Sequence, residues 1–435
     1  MKAAELISHI SSIDSYKYFG KVTQVMGLMI ESRGPESSIG DVCYIYVGRG
    51  QKKKIMAEVV GFRDEFIVLM PFTNVEDIAL GSIVETTNKP LEIKIGSSLI
   101  GSILDPLGFP VDGSGLPKGL KNIQTVQDPP NPMMRPPICS AIETGVRAID
   151  IMLTVGKGQR LGIFAGSGVG KSTLMGMIAR NTSAKMNVIA LIGERGREVR
   201  EFIERDLGPE GMKRSIVVVA TSDQPALMRL KAAYTATTIA EYFRDLGMDV
   251  MFLLDSTTRI AMAQREIGLA IGEPPTTKGY PPSVFGLMPR LLERTGTNNK
   301  GSITAFYTVL VDGDDMNEPI TDCVRGILDG HLVLDRRLAN KGQYPAINVL
   351  ASVSRVMNHI VSKEHQELAV QTRSFLSTYQ EAEDLINIGA YKKGSSPNID
   401  AAIQYHEPIR NFLMQATDEK VSASEALEQL KQIYV

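Results

Sequence analysis

The stretch "GIFAGSGVGKSTL", residues 162–174, decides how this chain is read. An apolar, strand-like run gives way to small residues, then to Lys171, two hydroxyls and a helical pattern. So little side chain ahead of a cation means that something anionic must lie against bare backbone. The pattern is that of the phosphate-binding loop, G-x-x-x-x-G-K-[ST], whose backbone N–H groups cradle phosphates at a helix N-terminus. Here the positions are Ala165, Gly166, Ser167, Gly168, Val169, Gly170, Lys171 and Ser172, so alanine stands for the first glycine. Its one methyl still allows close approach if φ is negative there. The flanks suit the loop: "RLGIF" reads as a buried strand and "STLMGMIARN" as a helix. Lys171 is then expected to pair with the β- and γ-phosphates and Ser172 to coordinate Mg²⁺. The backbone from Gly168 to Thr173 would hold the phosphates. The bland alternative is a glycine-rich turn in some other α/β protein.

Outward from the loop, between about 139 and 355, apolar runs alternate with helical patterns: "NVIALIG", "SIVVVAT", "MDVMFLLD", "GSITAFYTVLV" and "AINVLASVS". That alternation predicts a mainly parallel sheet with helices on both faces. Asp255 ends one strand, where a carboxylate can hold Mg²⁺ through a water. Glu194 lies just past another. In a parallel sheet both share the loop's ligand-binding edge, where Glu194 could polarise a water. A surface ion pair is its bland alternative. Upstream, short β-branched runs separated by turn signals predict a small β-barrel. Alternation reads Tyr44, Tyr46, Phe62 and Phe66 as its core, and Lys52 to Lys54 as a solvated hairpin end. Residues 1–18 suit a short amphipathic helix, either packed on its own domain or docking a partner. After 358 only helical periodicity remains. The expected division is therefore 1–18, a terminal helix; 19–93, a barrel; 94–358, the phosphate-loop domain; and 359–435, a helical domain.

Composition narrows the function. A net charge of −2, no tryptophan and 6% aromatics give no footprint for nucleic acid. Three scattered cysteines and five histidines without ligand spacing imply a reduced compartment and no structural zinc. No apolar run reaches 18 residues, and the N-terminus lacks a leader pattern, which implies a cytosolic protein.

The segments "FAGSGVGKSTL", "IGERGREV", "LLDSTTRIAMAQREIGLAIGEPPTTKGYPPSVF" and "GQYPAINVLASVSRV" resemble the catalytic subunits of rotary ATP synthases and their secretion relatives. The likeness runs from about residue 20 to the end. Ala165, Ser172 and "GEPPTTKGYPPSVF", residues 272–285, resemble the secretion branch, the flagellar export and injectisome ATPases. The synthase β subunit would show glycine and threonine at those two positions. The resemblance implies an α/β fold with a RecA-like parallel-sheet core, a preceding β-barrel and a following helical domain. It implies Mg²⁺-dependent ATP hydrolysis that assists protein export, with the flagellar apparatus favoured over the injectisome. It also implies roles for single residues. Glu194 would activate water, with Arg195 beside it in the same motif. Arg259 would lie near the γ-phosphate, Tyr344 would stack on adenine, and Arg355 would be a finger supplied to a neighbouring subunit. A finger in trans implies a homohexamer. Asp314 and Asp315, in the loop 311–319, would contact a central coiled-coil stalk. Further implied partners are a stator-like regulator at the N-terminus, the export gate, chaperones and exported substrates. The expected place is the cytoplasm, peripherally on the inner membrane face. Other readings are a catalytic synthase subunit, a non-catalytic nucleotide-binding subunit, which would lack Glu194, and a hexameric RNA translocase.

Overall fold

The computed structural model describes residues 17–48, 53–73, 77–311, 313 and 315–434. Nearly all of the expected terminal helix, Lys52 and Asp314 lie outside these residues.

Six strands close a barrel: β1 (Phe19–Met26), β2 (Met29–Arg33), β3 (Asp41–Val47), β4 (Lys53–Arg63), β5 (Phe66–Pro71) and β6 (Ile83–Pro90). Their spatial order is β1-β2-β5-β4-β3-β6. Period-2 alternation sends Cys43, Ile45, Val47, Ala57, Val59, Leu69 and Val84 inward. The aromatic expectation has the opposite phase. Tyr44 and Tyr46 fall between the inward residues of β3 and are half-buried, and Phe62 is exposed. A period-2 pattern leaves the inward face undecided, and the smaller, non-aromatic set takes it. Lys53 and Lys54 are exposed at the start of β4, as a solvated hairpin end requires, and Lys54 Nζ lies 3.2 Å from the buried Glu85 carboxylate. The barrel ends at Pro90. Glu92–Ile95 pairs instead with Lys121–Gln124, and Leu91, Ile93 and Ile95 join the core of the next domain.

That domain is built on a sheet of β7 (Ile103–Leu104), β8 (Arg160–Ala165), β9 (Met186–Glu194), β10 (Ser215–Thr221), β11 (Asp249–Asp255), β12 (Ser302–Leu310), β13 (Gly330–Leu334) and β14 (Val353–Ser354). The order is β14-β13-β8-β12-β11-β9-β10-β7, these strands parallel except for β14 on β13, and the short strand Gly296–Thr297 adds an antiparallel pairing to β12. Eight consecutive residues of β9 are buried, as a strand covered on both faces requires. Met186, Val188, Ala190 and Ile192 face the helices Ala226–Asp245 (α2) and Thr257–Ala270 (α3). Ile189 and Leu191 face the opposite layer, which holds Lys171–Asn181 (α1). The expected strand "AINVLASVS" shrinks to Val353–Ser354. Local side-chain bonds compete with a ladder there. Ser352 Oγ donates to the Asn348 carbonyl at 2.6 Å, and the Ala351 N–H donates to Asn348 Oδ1 at 3.0 Å.

Three helices complete the chain: α4 (Lys363–Asn387), α5 (Pro397–Leu413) and α6 (Ala423–Ile433). Ser362 caps α4, and Ser422 with Glu425 forms a capping box on α6. These helices dock on Arg147–Met152. The Arg147 N–H donates to Gln415 Oε1 at 2.8 Å, and Arg373 donates to the Met152 and Val349 carbonyls. Among the described residues no helix is long and apolar enough to cross a membrane.

Candidate active site

Strand β8 ends at Ala165 and α1 begins at Lys171, so the loop between them opens at the C-terminal edge of the sheet. Ala165 is still extended strand, so its methyl costs nothing there. Gly168 and Gly170 have φ of 77° and 89°, left-handed values that disfavour any side chain. Gly170 also borders Tyr344: a Cβ on it would lie 3.5 Å from the Tyr344 ring. Tyr344 is 47% exposed, and its carbonyl accepts the Gln415 N–H at 3.0 Å. Its ring therefore forms an open wall beside the loop.

The charges converge behind it. Lys171 Nζ lies 2.6 Å from Asp255 Oδ1 and 3.4 Å from Glu194 Oε1. Burial alone would lower the ammonium's pKa, but the two carboxylates outweigh it and raise it above its usual value. Burial raises the Glu194 pKa, the Asp255 charge adds to that, and Lys171 opposes. Thr308 Oγ1 donates to Asp255 Oδ1 at 2.7 Å. Arg259 lines the same cleft. Its Nε is buried without a hydrogen-bond partner among the described residues, so it can meet an anion. Gly193, at φ 73°, makes room for it, since a Cβ there would sit 2.9 Å from the Arg259 stem. Arg195 is exposed, pairing with Glu198 at 3.1 Å.

The cleft encloses about 460 Å³ and brings together the loop, Lys171, Ser172, Thr173, Glu194, Arg195 and Arg259. Sequence reasoning missed Glu198, Ser222, Leu310 and Val311, which also line it. Ser222 follows β10 and Leu310 ends β12, so only the strand order reveals that they share this edge.

Beneath the cleft a cavity of about 50 Å³ is shared by Ser172, Asp255, Glu194 and Glu198. Its donors are a hydroxyl and carboxylates, a hard-oxygen set that suits Mg²⁺ completed by waters and phosphate oxygens. Among the described residues no cluster of His, Cys, Asp and Glu forms a self-sufficient metal cage.

Arg355 is not part of this assembly. Ser354 pairs with Gly330, and His331 pairs with Gly162, whereas the loop begins at Ala165 opposite Leu334. Arg355, one residue past Ser354, is therefore exposed at the other end of the sheet, about 16 Å from the loop along the strands. Its backbone N–H donates to the Asp329 carbonyl at 3.1 Å. The Asp329 carboxylate in turn accepts Arg160 Nε at 3.0 Å and Nη2 at 3.1 Å. In the loop 311–319, Asp315 lies 3.7 Å from Lys278 Nζ.

Comparison with known proteins gives three matches along the chain. Residues 22–88 match the beta-barrel domain of the ATP synthase alpha/beta family, and 145–354 match its nucleotide-binding domain. Residues 361–432 match the T3SS EscN ATPase C-terminal domain. The flagellum-specific ATP synthase of Bacillus subtilis is 67% identical over 430 residues, covering 99% of this chain and 98% of its own. The type 3 secretion system ATPase of Xanthomonas euvesicatoria is 50% identical, covering 95% and 94%. The solved structure of the assembled ATPase EscN, from the type III secretion system of enteropathogenic E. coli, superposes with a TM-score of 0.90 at 44% identity, covering 96% of this chain and 100% of that one. EscN in complex with its central stalk EscO gives 0.89 at the same identity and coverage.

Proposed function

The chain belongs to the family of flagellum-specific and type III secretion ATPases and is an ATP-hydrolysing enzyme, and we propose that it works as a homohexameric ring assisting protein export through a flagellar apparatus. The 67% identity to a flagellum-specific relative, against 50% for a type 3 secretion ATPase, supports the flagellar branch. The carrying observation is the Lys171 ammonium held between Glu194 and Asp255 beside a loop of left-handed glycines.

The residues divide the work. Backbone N–H groups from Gly166 to Thr173 receive the phosphates, and Lys171 turns from its carboxylates to the β- and γ-phosphates. Ser172 and Asp255 would hold Mg²⁺, which would supply charge neutralisation to the phosphates. Glu194 takes the proton of the attacking water. Its raised pKa makes it a stronger proton acceptor than an ordinary carboxylate. Arg259 neutralises phosphate charge within the chain, and Arg195 stands at the mouth beside Glu198. Tyr344 stacks on adenine. Arg355 lies too far from its own loop to serve it, which supports its delivery to a neighbour's site.

EscN has been solved with a central stalk, and by analogy the 311–319 loop with Asp314 and Asp315 faces a stalk protein here. An N-terminal regulator, the export gate, chaperones and substrates complete the proposed partners, at the cytoplasmic face of the membrane. The test is phosphate release by the purified chain against protein concentration, with and without Mg²⁺. Metal-dependent turnover that climbs as rings assemble is expected. Turnover independent of concentration across the assembly range would overturn the ring.

A further inference from the structure

We propose that Thr308 is a positioning residue that decides which oxygen of Asp255 is presented to the metal. The inference rests on the ATPase reading above and goes one residue deeper into its site. β12 is an almost wholly buried strand, and Thr308 is 0% exposed within it. Valine would fill the same volume and favours strands as well. A hydroxyl buried there is costly unless it is bonded, and this one is: Oγ1 donates to Asp255 Oδ1 at 2.7 Å.

The register makes that contact unavoidable. Leu254 pairs with Tyr307, so Asp255 and Thr308 come next on adjacent strands and face the same layer as α1. A second bond ties the two segments in the other direction, with Thr257 Oγ1 donating to the Thr308 carbonyl at 2.8 Å. A β-branched side chain has few χ1 choices, so the hydroxyl is held as firmly as the strand itself.

Asp255 Oδ1 is thus taken twice, by Thr308 and by Lys171 at 2.6 Å, and Oδ2 has no hydrogen bond among the described residues. Asp255 lines the 50 Å³ cavity shared with Ser172, and Oδ2 is the oxygen left to face it. Once Lys171 turns to the phosphates, Thr308 is the remaining hold on Oδ1. Without it the carboxylate is free to rotate, and the metal's partner loses its fixed direction. Outer partners of this kind typically govern metal affinity by roughly ten- to a hundredfold.

The experiment measures binding of a fluorescent ADP analogue, first without metal and then as Mg²⁺ is titrated, alongside turnover. Thr308→Val should keep its metal-free nucleotide affinity within about twofold while needing roughly tenfold more Mg²⁺ for half-effect. Thr308→Ser, which keeps the hydroxyl, should follow the wild type. A Thr308→Val protein with the wild-type Mg²⁺ midpoint overturns the proposal. So does a Thr308→Ser protein shifted as far as Thr308→Val, because the methyl would then be the group that matters. Should Thr308→Val melt early, Thr308→Ala carries the same readout. A wild-type chain without Mg²⁺-dependent turnover defeats the ATPase reading itself, a result distinct from either of these.

Discussion

The two ends of the central sheet treat a positive charge in opposite ways. At the C-terminal edge Lys171 is enclosed, its side chain only 12% exposed and shared between two carboxylates. At the N-terminal edge Arg355 is exposed, and among the described residues only its backbone is anchored, through Asp329. An enclosed, compensated cation is one whose ligand comes to it and displaces its partners. An exposed arginine on an anchored strand end keeps its guanidinium free of its own chain's loop. On the proposed function, the first edge serves its own chain and the second serves a neighbour. Strand β8 spans both, with the phosphate loop at its end and Arg160 at its start.

The widest break in this contrast comes from Lys171→Ala. It removes the cation that meets the phosphates, so turnover should vanish while assembly persists. Hydrolysis near the wild-type level in a steady-state assay would remove Lys171 from the reaction. Arg355→Ala comes next, with a loss of about 10³- to 10⁵-fold by analogy with fingers supplied in trans, and with nucleotide binding retained. Mixing the two variants makes the comparison sharp. Lys171→Ala chains keep a finger and Arg355→Ala chains keep a working loop, so mixed rings should regain part of the activity that neither has alone. If rings shown by mass to be mixed stay inactive, the two edges do not act across an interface.

Glu194→Gln should slow hydrolysis by roughly 10² to 10⁴ while nucleotide stays bound, because an amide cannot take the proton. The sign of the pH effect follows from the half-buried carboxyl. A base works when ionised, so activity is present above its pKa and lost as pH falls through it. Burial and Asp255 raise that pKa, so the acid limb of kcat/KM should lie above the usual carboxylate range. A limb at the ordinary value, or one unchanged in Glu194→Gln, would give the limb to another group.

The C-terminal edge was largely legible in the sequence because its chemistry is local. Eight consecutive positions spell the loop, and Asp255 and Glu194 each end an apolar run. Thr308 and Ser222 were not legible. Their part depends on β12 lying beside β11 and on β10 ending at the same edge, and strand order is a long-range property. The barrel shows the same limit, since alternation in β3 is plain in the sequence while its phase is not. Arg355 was named only through resemblance. No local pattern distinguishes an arginine after a two-residue edge strand from any surface charge, and its distance from the loop emerges from register alone.

Asp329→Asn asks whether the exposed edge needs its anchor, and the expected effect is the smallest. Asp329 joins two functions in one residue. Its carboxylate accepts the Arg160 N–H at 3.0 Å as well as two guanidinium bonds, while its carbonyl carries the Arg355 N–H. Asparagine keeps the shape and the carbonyl but loses the charge that makes the pairing with Arg160 strong. Nothing in that change reaches the chain's own loop, so nucleotide affinity should hold. Arg355 would be presented less firmly, and its effect on the neighbour's site should weaken by about 0.5–2 kcal/mol, a few-fold to about thirtyfold in turnover. Mixed rings locate the loss. Paired with Lys171→Ala chains, Asp329→Asn chains contribute working loops served by intact fingers, so those sites should run at the wild-type rate. Paired with Arg355→Ala chains, they contribute the only fingers, so the sites those fingers complete should show the full deficit. Equal deficits in both mixtures would mean that Asp329 supports its own site through β8, and the division between the two edges would fail there.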